Sequence, residues 1–87
     1  MEVRVRFFAV LRERTGTEIT DLELPGPTSV RAAWEALQRK FPELSPFANC
    51  VTFAVNREYV HLEHELAPGD ELALIPPVSG GSGREVQ

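Results

Sequence analysis

The segment Thr28-Ser-Val-Arg-Ala-Ala-Trp-Glu-Ala-Leu-Gln-Arg-Lys-Phe41 decides how this 87-residue chain folds. Its apolar residues recur at helical spacing and predict one apolar stripe along a helix: Val30, Ala33, Trp34, Leu37 and Phe41. A hydroxyl of Thr28 or Ser29 can cap the start of this helix. Pro42 ends it near Phe41, because a proline disfavours helical geometry in the residue before it. The other elements must pack against this single stripe.

Segments of alternating hydrophobicity on both sides of the helix predict strands. They are residues 2–10, 18–24, 51–55, 58–60 and 71–75. In the first, Ala9 continues the inward face, whereas Phe8 falls on the charged face of Arg4 and Arg6. In the second, Ile19 is out of phase with the inward residues. The order strand, strand, helix, strands predicts an α+β fold, with one helix on one face of a mixed sheet.

The connections carry turn signals of different strength. Gly16 should end a helical turn over residues 11–16, since glycine adopts positive φ at low cost. Asn56-Arg57 predicts a hairpin turn, and Pro68-Gly69-Asp70 predicts a turn with glycine at the positive-φ position. Residues 43–49 and 61–67 show no periodicity and are expected to be loops.

Composition and charge exclude several function classes. With 43% hydrophobic and 25% charged residues the chain is an ordinary globular domain, and its length allows one core with little room for a walled active site. No apolar run is long enough for a membrane helix, and the charged start is not a signal peptide. A net charge of −4 disfavours nucleic acid as a partner. The single Cys50, expected to be partly buried, requires no oxidising compartment, so a cytoplasmic location is expected.

The negative charge is concentrated in the second half of the chain. Residues 1–44 carry seven charges of each sign, whereas residues 45–87 carry two basic and six acidic ones. This asymmetry favours either a basic partner surface, through complementary potentials, or a solvated acidic face.

Catalytic and metal-binding patterns are missing from the sequence. His61 and His64 have no cysteine or carboxylate cluster beside them and are interpreted as surface residues, so no metal site is expected. The glycines near the C-terminus lack the lysine of a phosphate-binding loop. Any chemistry would have to come from a partner or from the C-terminal segment.

The C-terminal segment Pro76-Pro-Val-Ser-Gly-Gly81 has the character of an extended arm. The two prolines stiffen its exit from the last strand, and the two glycines, which lack a Cβ, would allow it to enter a narrow tunnel in another protein. We therefore divide the chain into a folded domain, residues 1–77, and a flexible arm and tail, residues 78–87. A flexible tail without function is the alternative.

Four strings resemble the small subunit of molybdopterin synthase, the MoaD family, over residues 1–81. They are Phe7-Phe-Ala-Val-Leu-Arg-Glu-Arg-Thr-Gly16, Val55-Asn-Arg-Glu-Tyr-Val60, Pro68-Gly-Asp-Glu-Leu-Ala-Leu-Ile75 and Pro76-Pro-Val-Ser-Gly-Gly81. The resemblance implies a ubiquitin-like β-grasp fold and a sulfur carrier that is not an enzyme on its own. It also implies that Gly81, preceded by Gly80, is adenylated with ATP, converted to a thiocarboxylate, and donates sulfur to cyclic pyranopterin monophosphate.

The resemblance also implies partners and no resident cofactor. The adenylate is transient and forms on an activating enzyme (MoeB-like), a separate donor supplies the sulfur, and the large synthase subunit (MoaE-like) receives the arm in a heterotetramer. This sequence departs from the family at its end, because Ser82–Gln87 follow Gly81. These residues are a cleaved extension, a remnant of cloning, or a linker to a fused large subunit. The alternative function is a ubiquitin-like protein modifier or a binding module.

A docking face is predicted from strand alternation. Phe8, Tyr59 and Ile75 should all point away from the helix, which leaves apolar side chains on an otherwise charged face. The resemblance supports this, since these positions match the hydrophobic contact of the family with its partners. The predicted contact continues along the arm: Pro76, Pro77, Val78 and Ser79. The alternative is that single exposed apolar residues are ordinary.

Overall fold

The computed structural model describes residues 1–77, which form seven strands, two α-helices and one 3₁₀ helix. In order they are β1 (Glu2–Phe7), α1 (Ala9–Thr15), β2 (Ile19–Glu23), β3 (Thr28–Ser29), α2 (Val30–Lys40), a 3₁₀ helix (Pro42–Phe47), β4 (Thr52–Val55), β5 (Glu58–Val60), β6 (Glu65–Leu66) and β7 (Glu71–Ile75). The predicted arm and tail, residues 78–87, lie outside the described residues, and with them Val78, Ser79, Gly80 and Gly81.

Helix α2 has the start and the buried stripe that the sequence predicts. The Ser29 hydroxyl accepts a hydrogen bond from the Ala32 amide at 3.2 Å, which satisfies one of the unpaired N–H groups of the first turn. The stripe residues Val30, Ala33, Trp34 and Leu37 are buried, and Phe41 is half-buried just beyond the last turn. The helix is therefore anchored along its length by one face.

The main sheet has five strands in the order β2-β1-β7-β4-β5. Strands β1 and β7 are parallel and the other neighbours are antiparallel, so the sheet is mixed. Its inward side chains share one core with α2, in which Trp34 packs edge-on against Phe53 at 5.5 Å between ring centroids. The α+β prediction is confirmed.

Across residues 1–77, no helix combines the length and apolar character needed to cross a membrane.

A second, two-stranded sheet connects the start of α2 to the segment that was expected to be a loop. Thr28 of β3 pairs with Leu66 of β6, and the Val30 amide donates to the His64 carbonyl at 2.9 Å. Leu66 is buried at the base of this sheet. The loop prediction for residues 61–67 is wrong here, because two-residue strands carry no periodic signal and form only through this pairing.

The segment after α2 also differs from the prediction of a loop at residues 43–49. It forms the 3₁₀ helix, which begins with Pro42, a residue with no N–H to leave unsatisfied at a helix start. Leu44 is completely buried beneath it. A single buried residue in one short helix gives no repeating pattern, which explains why the sequence did not reveal it.

Strand β1 ends earlier than expected, at Phe7, because Ala9 adopts φ 52°. A non-glycine residue in this left-handed region is strained, and it turns the chain from β1 into α1. Ala9 is exposed, so its predicted inward position is wrong. Helix α1 then ends as predicted at Gly16, whose φ is 68° and whose amide donates to the Arg12 carbonyl at 2.9 Å.

Asn56 links the β4–β5 hairpin turn to the turn before β7. Its Nδ2 donates to Asp70 Oδ1 at 3.0 Å, its Oδ1 accepts from the Glu71 amide at 3.1 Å, and its own φ is 51°. We expect Asn56→Ala to lower the free energy of unfolding by roughly 1–3 kcal/mol, through lost hydrogen bonds and positive-φ strain. Asn56→Gly, which removes the bonds but relieves the strain, should cost less in urea denaturation. Equal losses of unfolding free energy in the two variants would show that the strain of the positive φ contributes nothing to the effect of Asn56→Ala.

An exposed ion pair joins α2 to the segment before β6. Arg31 Nη2 donates to Glu63 Oε2 at 2.5 Å, and this hydrogen bond lowers the pKa of the Glu63 carboxyl. Because the pKa of Glu63 is lower in the folded than in the unfolded chain, the pair stabilises the fold above the unfolded-state pKa. This stabilisation is lost as the pH falls through the folded-state pKa. We therefore expect a small stability difference between the wild type and Glu63→Gln at pH 7 that disappears on acidification below the ordinary carboxyl range. A difference that persists at acid pH would contradict this.

Candidate partner-binding face

The face of the main sheet that points away from α2, called the outer face below, is the candidate functional surface. Strand register places one side chain of each strand in a continuous row across it. From β2 to β5 the row is Ile19, Arg6, Ala73, Ala54 and Tyr59. Two small residues thus form the floor of the row, and larger side chains stand on either side of it.

Large apolar side chains are exposed on this face. Within residues 1–77, the exposed large hydrophobic residues are Phe8 at 41%, Ile19 at 43% and Tyr59 at 74%. Phe8 has extended geometry, φ −120° and ψ 150°, so it continues the alternation of Arg4 and Arg6 beyond the end of β1. The exposure predicted for Phe8 and Tyr59 is confirmed.

Ile19 belongs to the same face, although sequence analysis gave it no role. It pairs with Arg6 across the β1–β2 ladder and therefore points in the same direction. The signal was present in the sequence, since a residue out of phase with inward Leu22 must lie on the opposite face of the same strand. It could be interpreted only once the pairing of β2 with β1 was known.

The end of β7 brings the exit of the arm to one end of the outer face. Because β1 and β7 are parallel and Phe7 pairs with Leu74, the next residues, Phe8 and Ile75, lie at the same end of the sheet. Ile75 is half-buried, Pro76 is buried and Pro77 is exposed. Pro76 is therefore packed within the chain itself and offers little contact area, whereas Phe8, Ile75 and Pro77 surround the point at which the chain continues toward Gly81.

Charged residues lie beside the apolar ones. Arg6 Nε is 2.5 Å from Glu71 Oε2, and Arg4 Nε is 3.8 Å from Asp21 Oδ1. The Arg4–Asp21 pair is more than half exposed and should contribute little to stability. The Arg6–Glu71 pair is about one-third exposed, and it stands directly beside the alanine floor.

Side chains that could hold a metal ion are not clustered in the described part of the chain. Among residues 1–77 no three His, Cys, Asp or Glu side chains are grouped as metal ligands. His61 and His64 are both exposed, as expected for surface residues. Cys50 is exposed as well, which corrects the expectation of a partly buried thiol, and its Sγ contacts the Phe47 carbonyl at 3.5 Å. The described residues therefore provide a surface for binding, the outer face, next to the end of β7, from which the chain continues toward Gly81.

A mixed sheet covered by one helix, with an apolar outer face beside the C-terminal exit, defines the ubiquitin-like β-grasp class, and the structural neighbours have this fold. The chain belongs to the ThiS family, whose model matches residues 5–81. It is 37% identical to the human molybdopterin synthase sulfur carrier subunit, over 92% of this chain and 94% of that protein. The family resemblance of the sequence is thereby confirmed.

Two solved structures extend the comparison. SAMP1 of Haloferax volcanii has a TM-score of 0.84 and 32% identity, covering 93% of this chain and 100% of that one. One chain of the solved complex of subunits 1 and 2 of the Helicobacter pylori molybdopterin-converting factor matches with a TM-score of 0.67 and 26% identity. The match covers 93% of this chain and 100% of that one. That structure is a protein–protein complex of the two subunits.

Proposed function

We propose that this protein is the sulfur carrier subunit of a molybdopterin synthase and acts in molybdenum cofactor biosynthesis. The observation that carries the proposal is the exposed apolar outer face placed at the exit of a chain that continues to Gly80 and Gly81. The relatives support it, since curated proteins of human and Escherichia coli origin at 36–37% identity are named sulfur carrier subunits of this synthase.

The proposed chemistry resides at the Gly81 carboxylate. A carboxylate is a poor electrophile, so an oxygen of Gly81 first attacks the α-phosphate of ATP and pyrophosphate leaves. A sulfur nucleophile from the donor then attacks the acyl carbon, and AMP leaves. With a protein persulfide as the donor, the product is an acyl disulfide. A second thiol attacks the donor sulfur, forms a disulfide with it and releases the thiocarboxylate. Its sulfur is the atom transferred to cyclic pyranopterin monophosphate.

The partners divide this work with the carrier. A MoeB-like enzyme is proposed to hold ATP and to form the transient adenylate, and the MoaE-like large subunit is proposed to supply the acid–base groups. This division suits a domain in which no metal-ligand cluster is found among residues 1–77. A cytoplasmic location is part of the same proposal.

The outer face is proposed as the contact with the large subunit. Phe8, Tyr59 and Ile75 would be covered there, and Ile19 extends the apolar surface to the edge strand β2. Burial of aromatic side chains is the usual source of binding energy at such interfaces. Docking of this face would aim Pro77, Val78 and Ser79 into the large subunit, with the glycines leading.

The residues after Gly81 set a condition on this function. A Gly81 that is peptide-bonded to Ser82 has no carboxylate to adenylate, so Ser82–Gln87 must be removed before activation. Expression together with the activating enzyme and sulfur donor of the same organism, followed by intact-mass measurement, tests the proposal. We expect a species ending at Gly81 with one oxygen replaced by sulfur. A chain that remains 87 residues long and unmodified would contradict it.

The similarity to SAMP1, a small archaeal modifier protein, favours a second function, conjugation of Gly81 to lysines of other proteins. The two functions use the same adenylate but differ in the nucleophile that attacks it. Tagging the N-terminus and blotting cell extracts separates them. A ladder of covalent conjugates that resists reducing agent and depends on Gly81 supports the modifier function, and a thiocarboxylate without conjugates supports the carrier.

A further inference from the structure

Arg6 occupies an unusual position on the outer face. It lies in the central row between Ile19 and Ala73, so apolar or small side chains flank it on both sides. Its side chain is 37% exposed and its neighbour Glu71 is 35% exposed. A protein that covers Phe8, Ile19 and Tyr59 together must also cover Arg6.

The hydrogen-bonding capacity of Arg6 is not used within the described residues. Its Nε is enclosed and lies 2.5 Å from Glu71 Oε2, yet it has no hydrogen-bond partner among the described residues. The contact is an ion pair without hydrogen-bond geometry. A guanidinium has five N–H donors in a planar fork, and of the Arg6 nitrogens only Nε is enclosed without a partner in the described residues.

Docking would change the energetics of this pair. When a partner excludes water, donors that lose their water must find acceptors, or their desolvation opposes binding. An arginine fork is satisfied best by two oxygens of one carboxylate. Ala73, the neighbour of Arg6 in the row, is small and half-buried, which leaves space beside Arg6 for such a group to approach.

We infer that Arg6 is a specificity-determining residue, which binds a carboxylate of the large synthase subunit through its terminal nitrogens. This inference rests on the proposed function, because it assumes that the outer face docks on that subunit. It adds one charged contact, between Arg6 and a carboxylate of the large subunit, to an interface that is otherwise apolar. A partner with an apolar surface but no acidic side chain opposite Arg6 is rejected, since it would bury the terminal N–H donors of Arg6 without an acceptor, while Glu71 lies at Nε.

The experiment measures binding of the large subunit from the same organism to immobilised carrier variants. Arg6→Gln is expected to raise the Kd about tenfold or more, mainly through faster dissociation. Arg6→Lys, which keeps the charge but loses the planar fork, is also expected to weaken binding. Arg39→Gln removes the same charge from the exposed side of α2 and serves as the control for net charge, with a Kd close to that of the wild type.

The acidic partner residue is found by changing each exposed carboxylate of the large subunit to its amide and forming double-mutant cycles with Arg6→Gln. One position should couple to Arg6, so that the second change costs little after the first. A Kd for Arg6→Gln within twofold of Arg39→Gln, or no coupling at any position, overturns the inference. If the wild type truncated at Gly81 binds the large subunit but never acquires a thiocarboxylate, the proposed function fails instead, and the two failures are distinguishable.

Discussion

A chain that ends at Gly81 is expected to be adenylated and thiocarboxylated by its activating enzyme and sulfur donor, whereas the 87-residue chain is expected to be inert. The reason is covalent. Without a free carboxylate at Gly81 no oxygen can attack ATP, so the difference should be all-or-none and not a change in affinity. The measurement is pyrophosphate release, with the intact mass of the carrier recorded in the same reaction.

Two variants of the truncated chain make this result specific. Gly81→Ala keeps the carboxylate but adds a methyl group, and we expect it to react poorly because the proposed tunnel is narrow. An exposed change far from the arm, Arg39→Gln on α2, should react like the wild type. Equal pyrophosphate release from the 87-residue and truncated chains, each with its mass confirmed as unprocessed, would contradict the assignment of Gly81.

The second large effect is expected at Phe8. Phe8→Ala should weaken binding to the large subunit by about 2 kcal/mol, roughly thirtyfold in Kd, because it removes an exposed aromatic anchor from the outer face. The fold should be nearly unaffected, since Phe8 is 41% exposed and lies outside the core. Isothermal titration calorimetry and thermal unfolding of the same samples measure both quantities.

Phe41→Ala is the matched control for this prediction. Phe41 is an aromatic residue on the helix side of the sheet, where it packs edge-on against Phe7 at 5.3 Å between ring centroids. Its truncation should lower the melting temperature and leave the Kd of the folded protein unchanged. If Phe8→Ala behaves in this way instead, Phe8 is part of the core and the docking face is wrong.

Much of the fold could be predicted because the signals are local. The stripe from Val30 to Leu37, the positive φ of Gly16 and the hairpin turn at Asn56 each depend on a few neighbouring residues, and all three are confirmed. The features that were missed depend on distant pairing. Strand β6 exists only because Leu66 meets Thr28, and no pattern within residues 61–67 indicates it.

The candidate site shows the same difference between features with a local signal and features that depend on distant pairing. Alternation alone placed Phe8 and Tyr59 outward, and the structure confirms their exposure. It could not show that Ile19 joins them, since that needs the β1–β2 register, nor that Pro76 is buried. The turn at Ala9 was also hidden, because positive φ is contrary to the intrinsic preference of alanine and no residue pattern indicates it.

The parallel pairing of β1 and β7 has a mechanical consequence. A pull applied at Ile75 along the axis of β7 would load this strand. That strand lies between β1 and β4 and is hydrogen-bonded to both. The load is therefore applied in shear, and many hydrogen bonds must yield together, whereas a strand peeled from a sheet edge loses them one at a time. The pairing of β7 on both sides therefore opposes unravelling of the sheet from Ile75.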